Sequence, residues 1–109
     1  MPDSITLSAE LLMQFGERLF RATGVSENEA AIVSESLVAA DLRGHASHGV
    51  VRIPDYVRQL EKGELVADVE LDVSSETASL IVADARFGFG QMQMRQLIDR
   101  LDPKAREQG

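Results

Sequence analysis

Cysteine is absent from the 109 residues, and so is tryptophan. Without a thiol there is no disulfide, no thiolate nucleophile and no cysteine-held zinc or iron–sulfur cluster. Basic residues are outnumbered, 11 to 18, which leaves a formal charge of −7. That deficit excludes a broad basic face of the kind that meets phosphate backbones, so no nucleic-acid partner is expected. Long apolar runs are missing too. Stretches such as Ala30–Val33 and Leu80–Ala83 fall far short of a bilayer span, and no membrane partner is expected. The opening Met1-Pro2-Asp3-Ser4 has neither a basic n-region nor an apolar h-region. These absences together predict a cytoplasmic protein in a reducing compartment.

What is present suffices for a small core, since 44% of the residues are apolar. The charge is unevenly laid out. Residues 64–84 hold 6 acids and no base, whereas residues 41–63 hold 3 acids, 4 bases and both histidines. The middle of the chain is a small positive, titratable island in an acidic protein, suited to attracting a small carboxylate or phosphate.

The apolar spacing predicts four helices. The first covers about 9–23, capped by Ser8, with Leu11, Leu12, Phe15, Leu19 and Ala22 as its apolar face. The second covers about 27–43 behind a capping box, Ser26-Glu27-Asn28-Glu29. Its stripe is Ala30, Val33, Leu37 and Ala40, and Ile32 and Val38 fall outside it, so this helix should touch more than one neighbour. Pro54 requires either a tight turn over 48–52 with a helix from about 54, or one kinked helix; Gly63 ends it.

Alternation at Val69, Leu71 and Val73 then reads as a half-exposed strand, Ser74–Thr77 as a turn, and Ala78–Asp84 as a strand buried on both faces. A fourth helix begins near Gln91, with Met94, Leu97, Ile98 and Leu101 on one side. Asp102-Pro103 should interrupt it or open a further turn. The expected fold is α+β: a three-helix N-terminal bundle over 1–65, then a β-hairpin and a helix over 66–109. A lone hairpin seeks a sheet, so this order reads as the N-terminal portion of a larger α/β enzyme.

Asp41, Arg43, His45, Ser47, His48, Arg52 and Tyr56 cluster in the middle of the chain. Three readings stand open on chemistry alone. His48 can be a general acid and base, since an imidazole changes charge near neutrality. A helical 48–52 would then place Arg52 on its side, with a planar fork for a substrate carboxylate, and Ser47 beside it as an orienting or substrate contact. Alternatively Asp41, His45 and His48 are spaced to share a metal on one helix face, although no glutamate lies between the histidines. Or the cluster is structural. Gly88-Phe89-Gly90 follows a strand but lacks the third glycine of a dinucleotide fingerprint.

The run Asp41-Leu42-Arg43-Gly44-His45-Ala46-Ser47-His48-Gly49-Val50, followed by Arg52-Ile53-Pro54-Asp55-Tyr56-Val57, closely resembles the start of the type-2 malate/L-lactate dehydrogenase family. That family includes ureidoglycolate, sulfolactate and diketogulonate-type oxidoreductases and imine-acid reductases. The resemblance implies a non-Rossmann α/β fold and a homodimer. It also implies hydride transfer between NAD or NADP and a small anionic 2-hydroxy or 2-oxo acid such as malate or lactate. It gives His48 the role of proton donor and acceptor, Arg52 that of carboxylate ligand, and Ser47 that of substrate or orienting contact. Cofactor contacts are expected downstream, so this chain alone is expected to bind no nicotinamide and to hold no metal. The contrasting reading is a non-catalytic, truncated homologue acting as a helical dimerisation module.

Overall fold

In the computed structural model, which describes residues 4–109, the element order is helix, helix, two short turns of tighter helix, helix, strand, strand, helix. Helix α1 spans Ala9–Ala22, and the Ser8 hydroxyl accepts from the Leu11 N–H at 3.1 Å. Its buried face runs through Gly16 and Phe20, so Leu11 and Phe15, expected on the core stripe, remain half exposed.

Helix α2 spans Glu27–Leu42. The Ser26 hydroxyl accepts from the Glu29 N–H at 3.3 Å, which is one half of the expected capping box. The other half is replaced. The Ser26 N–H donates to the distant Asp68 carboxylate, while the buried Glu29 carboxylate accepts from the Asp68 N–H. Burial pushes the Glu29 carboxyl pKa up; the Asp68 N–H opposes this, and the Asp68 negative charge adds to it. As the two-sided apolar pattern predicts, Val38 is buried as well as Ala30, Val33 and Leu37, and α2 packs against more than one helix.

Helix α3 spans Ile53–Lys62, with Pro54 in its first turn and Gly63 closing it in the left-handed conformation. The core is small: Phe20, Val25, Ala30, Val33, Leu37, Ile53 and Phe89. Phe89 meets Phe20 and Tyr56 edge-on, with ring centroids 5.7 Å apart in both pairs. Such pairs add about 0.5–1.5 kcal/mol each beyond the area they bury.

The hairpin departs from expectation. Strand β1 is Asp72–Glu76 and strand β2 is Ile81–Asp84, antiparallel, with a bulge between Val73 and Ser75. The pairing begins three residues later than the alternation suggests, and the turn lies at 77–80, where the Thr77 N–H donates to the Leu80 carbonyl at 2.8 Å. Residues 69–71 find other partners. The Val69 carbonyl accepts from Gln93 Nε2 at 2.7 Å, and the Leu71 N–H donates to Gln96 Oε1 at 2.9 Å. Nor is β2 buried on both faces, because Val82 beside the turn residue Leu80 is half exposed.

Helix α4 spans Gly90–Gln108 without a break. Asp102-Pro103 therefore neither stops it nor opens a new turn. Asp102 instead accepts from Arg106 Nε at 2.9 Å, one turn further along. No helix among the described residues is long and apolar enough to cross a membrane.

Candidate active site

The site is built where α2 ends. Gly44 takes a left-handed conformation (φ 84°) just past the helix. Its N–H donates to the Asp41 carbonyl at 3.0 Å, and the His45 N–H donates to the Ala40 carbonyl at 2.9 Å. This paired closure satisfies the last carbonyls and folds His45 back beside the helix end. Two short turns follow, Ala46–His48 and Val50–Arg52. Gly49 separates them in an extended conformation (φ −97°, ψ −151°). Residues 48–52 are therefore not one helix, and the expected shared helical side for His48 and Arg52 does not form.

Ser47 links the two instead. Its hydroxyl lies 2.9 Å from His48 Nδ1, and its carbonyl accepts from Arg52 Nε at 2.8 Å. The Arg52 guanidinium also faces Asp55, with Nη1 3.7 Å from the carboxylate. Both partners there are substantially exposed, so that ion pair is worth little, and the Nε bond is what sets the arginine's direction.

The His48 ring is exposed and lines an open depression of about 370 Å³ together with Ser36, Ala40, Arg43 and His45. No carboxylate lines it. A hydroxyl, a guanidinium and two imidazoles line this concavity, groups whose N–H and O–H can donate to an anion. Arg52 is not among the lining groups; the cation that shares the hollow with His48 is Arg43. The sequence placed Arg43 in the cluster without a role and gave His45 one only in the metal reading. The signal for them is the glycine after Arg43, since a left-handed residue past a helix end returns the next side chain to that end.

Asp41 does something other than ligate. Its carboxylate accepts from the Val50 N–H at 2.9 Å and fills the space beside Gly49. Among the described residues no three His, Asp or Glu side chains are arranged to hold a metal. A nicotinamide dinucleotide does not fit the Gly88–Gly90 segment. Phe89 between these glycines is 1% exposed in the core, and the Gln93 amide lies against Gly88 where a phosphate would need to approach.

The family described as malate/L-lactate dehydrogenase matches residues 7–109. Hydroxycarboxylate dehydrogenase B of Escherichia coli is 34% identical over 101 residues, covering 93% of this chain and 28% of that protein. The NADP-named (2R)-3-sulfolactate dehydrogenase of Chromohalobacter salexigens is 38% identical over 88 residues, covering 81% of this chain and 26% of that protein. Among solved structures, malate dehydrogenase from Pyrococcus horikoshii superposes with a TM-score of 0.91 at 33% identity, over 96% of this chain and 30% of that one. The chain thus spans between a quarter and a third of the length of these relatives.

Proposed function

Because the chain belongs to the malate/L-lactate dehydrogenase family, we propose that it supplies the proton-transfer and acid-binding part of an oxidoreductase. The substrate is a small 2-hydroxy or 2-oxo acid, such as malate or lactate, and the hydride partner is NAD or NADP. In this reading residues 1–65 carry the site and residues 66–109 begin the α/β domain. The observation that supports it is the Ser47–His48 pair at the edge of a carboxylate-free depression that also holds Arg43.

The proton chemistry follows from that pair. With His48 Nδ1–H donating to the Ser47 hydroxyl oxygen, Nε2 is left as the atom that gains and loses a proton. In the reducing direction Nε2–H gives its proton to the carbonyl oxygen of the 2-oxo acid, and neutral Nε2 takes one from the hydroxyl in the oxidising direction. Bound nicotinamide supplies the hydride chemistry.

Arg52 lies outside the lining of the His48 depression and is joined to it through its Nε bond to Ser47; in this reading its terminal nitrogens take the substrate carboxylate at the rim, with Asp55 competing for one of them. The relatives named above are dehydrogenases, which favours this reading over a dimerisation module without catalysis. In this reading the enzyme is a homodimer, which the family resemblance carries, and cytoplasmic, which the composition carries.

The test is nicotinamide-linked oxidation of L-malate and L-lactate, with NAD and with NADP, by the chain joined to the remainder of the dehydrogenase fold. Substrate-dependent reduction of the cofactor is expected. It should fall by about 10²–10⁴-fold in His48→Ala with an unchanged circular dichroism spectrum. Equal turnover by both proteins contradicts the proposal.

A further inference from the structure

The two arginines around His48 differ in what they already hold. Arg52 gives its Nε to the Ser47 carbonyl and turns one Nη toward Asp55. Arg43 commits only its backbone: its N–H donates to the Ala39 carbonyl at 3.1 Å and pins the residue at the end of α2. Among the described residues the Arg43 guanidinium forms no ion pair and no hydrogen bond. Glu35 and Asp99 line the neighbouring groove with it, yet neither pairs with it. Asp41, two residues before it, is engaged by the Val50 N–H at 2.9 Å.

Arg43 therefore brings an uncommitted cation to the depression it shares with His48. Of the groups lining that depression only Ala40 is apolar. The methyl end of a monoacid finds little to pack on there, and once bound it leaves a guanidinium without a partner. A second carboxylate finds a planar fork able to donate two parallel hydrogen bonds. The volume of about 370 Å³ is in the usual range of small-molecule sites, about 300–1,000 Å³. The overall charge of −7 repels a dianion more than a monoanion. A preference for the dianion thus requires a local cation that no acid of the chain has neutralised, and in this depression that cation is Arg43.

We propose that Arg43 determines specificity: it takes a second carboxylate, at the end of the substrate away from the one given to Arg52, so that a 2-hydroxy diacid is preferred to a monoacid such as lactate. Each group then has one part of the substrate. His48 meets the oxygen on C2, Arg52 the C1 carboxylate at the rim, and Arg43 the distal carboxylate within the depression. The inference rests on the proposed function for the roles of His48 and Arg52; it adds the ligand of Arg43 and a choice between the two acids.

The experiment compares L-malate with L-lactate by two readouts. In the first, the His48 ring resonances of the chain are titrated with each acid at fixed ionic strength. Half-saturation should come at about 10–100-fold less malate than lactate, the worth of a charge-assisted hydrogen bond. Arg43→Met, at an exposed position, should keep the circular dichroism of the parent and abolish most of this difference. Arg95→Met removes another exposed arginine, one that lines only the neighbouring groove, and should preserve it. In the second readout, the ratio of kcat/KM for malate to that for lactate in the completed enzyme should fall in Arg43→Met by the same factor. Absence of a malate-induced shift, equal half-saturation by the two acids, or a preference that survives Arg43→Met overturns the proposal. So does an equal fall in Arg95→Met, since net charge would then be the cause. Turnover of both acids without a preference would sink this inference and leave the proposed function standing. A binding preference that depends on Arg43, without turnover in the completed enzyme, would do the reverse.

Discussion

The Asp41 carboxylate occupies the space a side chain at Gly49 would need, and from there it accepts the Val50 N–H at 2.9 Å. Gly49 has a negative φ, so its requirement is for room and not for a left-handed backbone. Gly49→Ala should therefore displace Asp41 and loosen the turn that presents His48. A loss of about 1–3 kcal/mol in urea unfolding is expected, as for other overpacked sites. Unchanged stability would show that the carboxylate does not pin this turn.

Arg52 reaches the Ser47 carbonyl through Nε and turns one Nη toward Asp55, and the proposed function gives its terminal nitrogens the substrate carboxylate. Arg52→Gln should raise KM for a 2-hydroxy acid and lower kcat/KM by roughly 10–100-fold, the worth of a lost charge-assisted hydrogen bond. Arg52→Lys should recover little of this, because an ammonium cannot hold the Ser47 carbonyl and present a fork at once. Steady-state kinetics of the completed enzyme decide the matter; full recovery by lysine would reduce the role of Arg52 to charge alone.

Glu29 is 1% exposed, and one of its carboxylate oxygens has no hydrogen-bond partner. Burial raises its pKa in the fold above the ordinary 4.5. The sign follows: the folded state favours the protonated carboxyl, so this contribution is whole below about pH 4.5 and is lost as pH rises through the raised value. Glu29→Gln keeps an acceptor for the Asp68 N–H and removes the titration. The stability of Glu29→Gln relative to wild type should therefore increase from acid toward neutral pH in urea melts. A difference that stays flat with pH contradicts the assignment.

Two phenylalanines two residues apart should behave oppositely. Phe89 is 1% exposed and packs against Phe20 and Tyr56, while Phe87 is 78% exposed. Phe89→Ala should cost about 3–5 kcal/mol, enough in so small a core to threaten cooperative unfolding. Phe87→Ala should change stability by less than about 0.5 kcal/mol. Comparable melting temperatures for the two variants would misplace the core.

The first three helices were legible because their ends are marked locally, by Ser8, Ser26 and Gly63, and because the apolar spacing continues between the marks. The hairpin register was not. Val69 and Leu71 alternate as a strand does, yet their backbone groups are taken by Gln93 and Gln96, more than twenty residues on, and such partners leave no trace in local spacing. Nor could the sequence show that Glu29 would turn from its own cap to Asp68. Pro103 misled because the rest of α4 holds the helix through it. In the site, the Ser47, His48 and Arg52 cluster was visible as a motif. The break at Gly49, which sends Arg52 back to the Ser47 carbonyl and leaves Arg43 beside His48, depends on the distant Asp41 carboxylate.

His45 and His48 line the same depression, but only His48 has its Nδ1 beside a serine hydroxyl, at 2.9 Å. Replacing each by glutamine in the completed enzyme and measuring kcat for oxidation of the same 2-hydroxy acid separates a proton carrier from a lining group. His48→Gln should lose about 10²–10⁴-fold and His45→Gln no more than a few-fold. Equal losses, or a larger loss at His45, would contradict the assignment of the proton to His48.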